Sequence, residues 1–93
     1  MEPGFVTPPL VRFEVGSRVR VIPSETAPDY VGLTGVVREC VEGKNYYGGD
    51  ICQHRVEIDE TPENLAILSP LPFFHEELKP WSLWLLSWEL HAE

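Results

Sequence analysis

The sequence has only two cysteines, no long apolar run and almost no basic residues in its C-terminal part. Two cysteines are too few for the disulfide framework of a small secreted domain. No apolar run approaches the roughly 20 residues that span a bilayer. The first four residues lack the basic segment that opens a secretory leader. These absences predict a cytoplasmic protein without a membrane anchor.

The shortage of basic residues gives the chain a formal net charge of −8. Residues 57–93 contain one lysine, Lys79, and no arginine, against eight acidic side chains. An acidic chain has no general attraction to phosphate backbones or to anionic lipids. We therefore expect neither nucleic acid nor a membrane as the partner, and a basic or neutral protein is easier to accommodate.

What the sequence does contain is typical of a small all-β domain. The 93 residues suit one domain, 43% of them are hydrophobic, and 9 prolines with 7 glycines indicate many turns between short strands. The clearest strand alternates apolar Val19 and Val21 with cationic Arg18 and Arg20. Five strands are predicted, at residues 15–22, 35–41, 51–59, 65–68 and 78–82.

These strands predict a small SH3-like barrel over residues 13–81, with a short helical turn in 73–80 before the last strand. Residues 1–12 are rich in proline and predict an extended arm. Residues 82–93 are predicted to form a Trp-rich apolar tail. Gly16 is predicted to occupy a turn, and Gly32 and Gly35 to flank a tight bend or bulge.

Cys40 and Cys52 fall on the second and third predicted strands. A hairpin centred on Tyr46 places them directly opposite each other, and His54 follows two residues later. Two cysteines and a histidine are an incomplete set of metal ligands. A structural zinc site needs four ligands, and the other two histidines do not have the spacing of ligands to these residues. We expect two reduced thiols packed between strands, with no metal and no cofactor. Metal or redox use is the alternative.

Three tyrosines are candidate partner-binding residues. Tyr30, in the polar loop after the first strand, either caps the open end of the core or presents its ring to a ligand. Tyr46 and Tyr47 are adjacent in a glycine-rich loop, so that one ring can pack inward while the other meets a ligand. The alternative is that both rings fold onto the barrel rim.

Three tryptophans, Trp81, Trp84 and Trp88, are the other candidate partner-binding residues. As a strand, the tail places Trp84 and Trp88 on one face, and as a helix it aligns all three in one stripe. Both shapes stay open. Because exposed Trp and Leu residues mark interfaces, we expect the tail to bind a protein partner or a second copy of the chain. The alternative is that it closes the bottom of its own barrel.

The chain also contains five short motifs: GSRVRV (16–21), PDYV (28–31), GVV (35–37), HRVEI (54–58) and FHEELKP (74–80). Together they resemble the SH3-like domain of nitrile hydratase beta subunits and their small accessory proteins. The outline is also similar to the variable chain of ferredoxin-thioredoxin reductase and to KOW modules. The resemblance implies an SH3-like fold and an accessory role in a complex. It implies no catalysis, because the cysteine cluster of the nitrile hydratase alpha subunit is absent.

The residues show no nucleophile and base, and no paired carboxylates, at a recognisable spacing, so we expect no catalytic residue. A non-catalytic protein-interaction module or accessory subunit is the leading hypothesis. One alternative is a subunit that contributes to a shared enzyme active site. Another is a KOW-like nucleic-acid-binding module, in which a basic patch would be formed by Arg18, Arg20, Arg38 and Arg55.

Overall fold

The computed structural model describes residues 12–44 and 48–93. The predicted arm, apart from Arg12, and the candidate residues Tyr46 and Tyr47 lie outside these residues. None of the described helices is long and apolar enough to cross a membrane. The elements of the described part are β1 (Arg18–Val21), β2 (Thr34–Lys44), β3 (Asp50–Ile58), α1 (Pro62–Leu68), β4 (Ser82–Leu86) and β5 (Leu90–Ala92), with 3₁₀ turns at Pro28–Tyr30 and Ser87–Glu89.

All five strands join one antiparallel sheet in the order β4-β3-β2-β1-β5. Every strand contributes to a single core, whose members include Val19, Val37, Val56, Leu85 and Leu90. Because the outermost strands β4 and β5 share this core with the central strands, the sheet curls around it. The predicted all-β class, a small barrel of about five strands, is confirmed.

Strand β1 shows the predicted alternation. Val19 and Val21 are buried, whereas Arg18 and Arg20 are exposed. The strand is shorter than predicted, because the chain before it forms a tight turn in which the side chain of Val15 is 63% exposed. The predicted position of Val15 on the apolar face of the strand is therefore wrong.

The predicted glycine turns are present on both sides of β1. Gly16 has a φ of 96° and Gly32 a φ of 97°, values that favour glycine because other residues carry a Cβ atom that clashes there. Gly35 lies within β2 and has no such φ. The bulge between β2 and β3 lies beyond it, where the register shifts between Val37 and Glu39.

Residues 65–68 form the end of α1, so the predicted fourth strand at this position is wrong. The preceding residues explain the helix. The Thr61 side chain accepts a hydrogen bond from the Asn64 N–H (3.1 Å), which makes it an N-cap. Pro62 and Glu63 occupy the first turn, where a missing backbone donor costs nothing and a negative charge meets the positive end of the helix. A start signal for a helix therefore outweighed the short apolar run.

Residues 69–81 connect α1 to β4 through turns and bends. The helical turn predicted in 73–80 and the strand predicted at 78–82 are therefore wrong. Pro70, Pro72 and Pro80 lack the backbone donors that regular elements need. A short helical turn does precede the last strand, as predicted for the fold, but it is the 3₁₀ turn Ser87–Glu89.

Residues 82–93 supply β4, the second 3₁₀ turn and β5. Strand β4 pairs with β3, and β5 pairs with β1. The buried Glu89 side chain accepts hydrogen bonds from the Leu86 N–H (2.6 Å) and from the Thr26 hydroxyl, which ties the turn to the loop after β1. Most of these residues therefore lie within the sheet, at its two edges, and the second 3₁₀ turn connects one edge to the other.

Candidate partner-binding groove

An apolar groove opens where the loop after β1 meets the segment between α1 and β4. Its volume is about 380 Å³, which is within the range of ligand-binding sites in proteins. Its lining includes two candidate residues, Tyr30 and Trp81. It also includes residues of the segment before β4 that were not predicted as binding residues, among them Phe73, Phe74, Leu78 and Pro80.

Tyr30 is held at one wall of the groove by the first 3₁₀ turn. Pro28 begins this turn with a φ that suits a helix. The Tyr30 N–H donates to the Ala27 carbonyl (3.3 Å), and the Tyr30 carbonyl accepts from the Leu33 N–H (3.2 Å). The ring is half-buried and packs against the core. Tyr30 therefore caps the core and, with the rest of its ring, lines the groove.

Trp81 holds the opposite wall in place. Its indole N–H donates to the Glu76 carbonyl (3.1 Å), and Phe74 packs edge-on against it with 5.2 Å between the ring centroids. The Lys79 ammonium lies 5.7 Å from the centroid of the indole ring and 2.9 Å from a carboxylate oxygen of Glu60. Because Trp81 is buried and uses its donor internally, it shapes the groove rather than projecting from it.

Phe73 and Leu78 are the exposed apolar residues of the groove. Phe73 is 92% exposed and Leu78 is 65% exposed, so each leaves most of its side chain in water. The sequence signal for them was weak: two adjacent aromatic residues and a leucine between Pro72 and Pro80. Only the structure shows that this segment folds back beside Tyr30.

Trp84 and Trp88 lie away from the groove. Trp84 is on β4 opposite Arg55 of β3, and its side chain is 48% exposed on the face opposite buried Leu85. Trp88 is in the second 3₁₀ turn and is 49% exposed, with its indole N–H donating to the Thr26 hydroxyl oxygen (3.1 Å). The structure therefore separates the two exposed tryptophans from the site that contains Tyr30 and Trp81.

The four arginines of the possible basic patch are all matched by carboxylates of the same chain. The pairs are Arg18 with Asp59 and with Glu93 (3.9 Å), Arg20 with Glu93 (3.0 Å), Arg38 with Glu57 (3.4 Å) and Arg55 with Glu39 (3.1 Å). A phosphate backbone would have to compete with these carboxylates. The pairing counts against a nucleic-acid interface on this face.

Comparison of the chain with models of known protein families, with curated proteins and with solved structures finds no match. The resemblance of residues 13–81 to the nitrile hydratase beta-subunit domain therefore stays a prediction. The geometry of the described residues is therefore the basis for assigning a function to this chain.

The two cysteines do not face each other as predicted. The β2–β3 register pairs Cys40 with His54 and Cys52 with Glu42, so the cysteines are diagonal neighbours on one face. The prediction assumed a hairpin that is symmetric about Tyr46, but the register of a hairpin is set by the geometry of its turn. Both cysteines are free thiols. Within residues 12–44 and 48–93, no three His, Cys, Asp or Glu side chains are placed to share a metal ion.

We expect the two thiols to differ in reactivity. Burial raises the pKa of the Cys52 thiol, and the adjacent Cys40 adds to the rise, whereas Cys40 is only half-buried. Because the thiolate is the reactive form, native Cys52 should react with Ellman's reagent at least about 10-fold more slowly than Cys40. The rates are measured on the single-thiol variants Cys40→Ser and Cys52→Ser. Equal rates for the two folded variants would contradict the prediction. As a control, unfolding the variants in urea should remove the difference in rate.

His54, the neighbour of Cys40 across the hairpin, is fully buried on β3. Its Nε2 atom accepts a hydrogen bond from the Phe13 N–H (3.1 Å), so the ring proton lies on Nδ1. The Nδ1 atom is buried and makes no hydrogen bond to the described residues. Burial lowers the pKa of His54, and the nearby Leu85 backbone offsets part of this effect. The ring is therefore neutral at pH 7, and it fixes the chain that enters β1.

This burial predicts a loss of stability in acid. The pKa of His54 is lower in the folded state than its ordinary value of 6.5, so below pH 6.5 the unfolded chain binds the additional proton. The free energy of unfolding should fall as the pH drops below about 6.5. The contribution of His54 to this fall ends once the pH is below the pKa of His54 in the folded state. Urea denaturation at several pH values measures the fall, and His54→Leu should reduce its slope between about pH 6.5 and pH 5. The control His75→Gln alters an exposed ring. An unchanged slope in His54→Leu would contradict the prediction.

Proposed function

We propose that the chain is a non-catalytic protein-interaction module, or an accessory subunit of a larger complex, which binds a protein through the groove. The observation that carries the proposal is the exposure of Phe73 and Leu78 beside an apolar groove with fixed walls. Exposed apolar groups of this size in one place are typical of interaction sites. A partner that covers them gains the free energy of burying both side chains.

The fixed walls favour binding because little has to be ordered when the partner arrives. Tyr30 is held by the 3₁₀ turn, and Trp81 by its hydrogen bond to the Glu76 carbonyl. In the loop after β1, a Cβ atom at Gly32 would lie 3.2 Å from the Ile67 side chain, so the loop packs closely on α1. A preorganised surface of this kind loses less conformational entropy on binding.

One feature supports a binding role over a catalytic one. His75 and Ser82 both line the groove, but no hydrogen bond described for the chain joins their side chains, whereas a nucleophile is normally hydrogen-bonded to its base. The free thiols are consistent with the proposed cytoplasmic location, where disulfides are rare. In a complex, the chain would act as an accessory subunit, which is also the role that the nitrile hydratase resemblance implies.

The proposal predicts that Leu78→Asp weakens binding of the partner. Immobilised wild-type chain is incubated with an extract of the source organism, and retained proteins are identified by mass spectrometry and purified for reassembly with the chain. Loss of the Leu78 contact should weaken the reassembled complex at least about tenfold, because a central apolar contact contributes more than about 1.4 kcal/mol. Val15→Asp is the matched control, since Val15 is 63% exposed, close to the 65% of Leu78, and lies outside the groove.

The proposal is contradicted if Leu78→Asp binds the reassembled partner as tightly as the wild type does. It is equally contradicted if Val15→Asp, or a variant of the exposed Trp84, loses the partner while Leu78→Asp retains it. Turnover of a substrate by the purified chain would favour the alternative of an enzyme subunit. Salt-sensitive binding of RNA or DNA that depends on Arg18 or Arg20 would favour the KOW-like alternative.

A further inference from the structure

Acidic side chains flank both chain segments that line the groove. Asp29 is exposed next to Tyr30, in the same 3₁₀ turn. On the other side, Glu76 and Glu77 are exposed between the lining residues His75 and Leu78. Each of the two lining segments therefore carries exposed carboxylates next to a lining residue.

Lys79, the one basic residue of the segment between α1 and β4 apart from His75, is paired with a carboxylate. The Lys79 ammonium lies 2.9 Å from a carboxylate oxygen of Glu60, and this hydrogen bond and charge raise the pKa of Lys79. Among the described residues that line the groove there is no Lys or Arg, and the one histidine, His75, lies 3.9 Å from a carboxylate oxygen of Glu77. Acidic residues outnumber basic ones in the two lining segments, which favours a partner that supplies cations.

The charge of the whole chain acts in the same direction. The net charge is −8, and residues 57–93, which contribute most of the groove, carry Lys79 against eight acids. A field of one sign attracts partners of the opposite sign and repels like-charged ones. It disfavours nucleic acid, anionic lipid and a second copy of this acidic chain as occupants of the groove.

We propose that the groove binds a basic, apolar peptide segment of a partner protein, in which one or two apolar or aromatic side chains are flanked by Lys or Arg. This inference rests on the proposed function and specifies the partner's chemistry. The apolar side chains enter the groove between Tyr30 and Leu78, and the flanking cations meet Asp29 on one rim and Glu76 and Glu77 on the other. Apolar burial supplies most of the affinity, whereas the charges supply specificity and a faster association rate.

The test uses peptides displayed on phage, with random sequences of about a dozen residues, selected on the full-length chain. Selected peptides are synthesised with a fluorescent label, and their dissociation constants are measured by fluorescence anisotropy. The double variant Glu76→Gln with Glu77→Gln removes two rim charges and keeps the side-chain shape. The matched control, Glu14→Gln with Glu25→Gln, removes two exposed charges that have no lining residue next to them in the sequence.

We expect the selected peptides to be enriched in Lys or Arg next to Leu, Phe or Trp, and to lose at least about tenfold in affinity for Leu78→Asp. Raising sodium chloride from about 50 mM to about 500 mM should weaken binding several-fold, because it screens the rim charges. The variant with Glu76→Gln and Glu77→Gln should weaken binding about threefold or more, and its control by less than twofold.

Two outcomes would overturn the inference. Neutral or acidic peptides that bind in a Leu78-dependent and salt-independent way would refute the basic partner but leave the groove as a protein-binding site. Peptides whose binding is unaffected by Leu78→Asp would show that the groove is not a peptide site. The reassembled complex described above then decides separately whether the proposed function stands.

Discussion

Replacing Gly35 with alanine is expected to destabilise the protein by about 3 kcal/mol or more. Gly35 lies on β2 opposite Ile58 of β3, where the two backbones approach closely. A Cβ atom added at this position would lie 2.2 Å from the carbonyl oxygen of Glu57 and 2.9 Å from a methyl group of Val56. The first of these contacts is with backbone, which cannot rotate away. The strands would have to separate next to the buried core residues of β3.

Gly43, further along β2, supplies the matched control. It is also a strand glycine, but a Cβ atom added there meets no atom within 4 Å. Gly43→Ala should therefore change the free energy of unfolding by less than about 0.5 kcal/mol, or stabilise the chain slightly by restricting the unfolded state. Urea denaturation followed by circular dichroism measures both variants at one pH. Equal stability of the two variants would show that the strands do not approach as closely at Gly35 as the structure indicates.

Replacing Asn64 with leucine is expected to cost about 3 kcal/mol, although leucine has a similar size. Asn64 is buried at the start of α1. Its side-chain oxygen accepts from the Thr34 N–H (3.2 Å), and its amide group donates to the Asp59 carbonyl (2.9 Å) and to the carbonyl (3.1 Å) and hydroxyl (3.2 Å) oxygens of Thr34. Asn64 thereby joins α1 to the start of β2 and to the end of β3.

The cost arises because leucine leaves partly buried backbone groups without partners. The Thr34 carbonyl keeps a hydrogen bond from the Asp59 N–H (3.0 Å), but the Thr34 N–H loses the bond that Asn64 makes. Each buried group left in this way costs about 1–3 kcal/mol. The control is Ala66→Gln, an exposed change on the same helix, which should cost less than about 0.5 kcal/mol. A loss below about 1 kcal/mol in Asn64→Leu would contradict this account.

Much of the fold was predictable from local sequence patterns. The alternation in β1 marks Val19 and Val21 as core residues, and the structure buries both. In β3, Val56 and Ile58 alternate with charged side chains in the same way, and the structure buries both. These features follow from the two-residue period of a strand, which needs no knowledge of the rest of the chain.

The sequence predictions were wrong where two local signals competed, or where the pairing of strands depended on residues that are far apart in the sequence. At residues 65–68 a short apolar run suggested a strand, whereas the cap at Thr61 and Pro62 started a helix. The relative position of Cys40 and Cys52 depended on the turn of the hairpin and shifted with it. The tail was ambiguous between helix and strand because its partners, β3 and β1, lie far away in sequence.

The candidate site, like the fold, was predictable from the sequence only in part. The sequence marked Tyr30 and Trp81 by residue type, but it gave no reason to place them together. Both line the groove because the irregular segment before β4 folds back to the loop after β1. The hydrogen bond from Trp81 to the Glu76 carbonyl stabilises this segment. Phe73 and Leu78 became candidates only through their exposure beside this groove.

The sequence by itself determined the all-β class, the burial pattern of β1 and β3, the turn at Gly16 and the acidic character of the C-terminal part, because each depends on residues that are close in the chain or on composition alone. The tertiary structure decided the order of the strands, the register of the cysteines, the membership of residues 82–93 in the sheet and the position of the groove. Each of these depends on which distant segments gain most by burying their apolar faces against one another, and that choice is made by the whole chain.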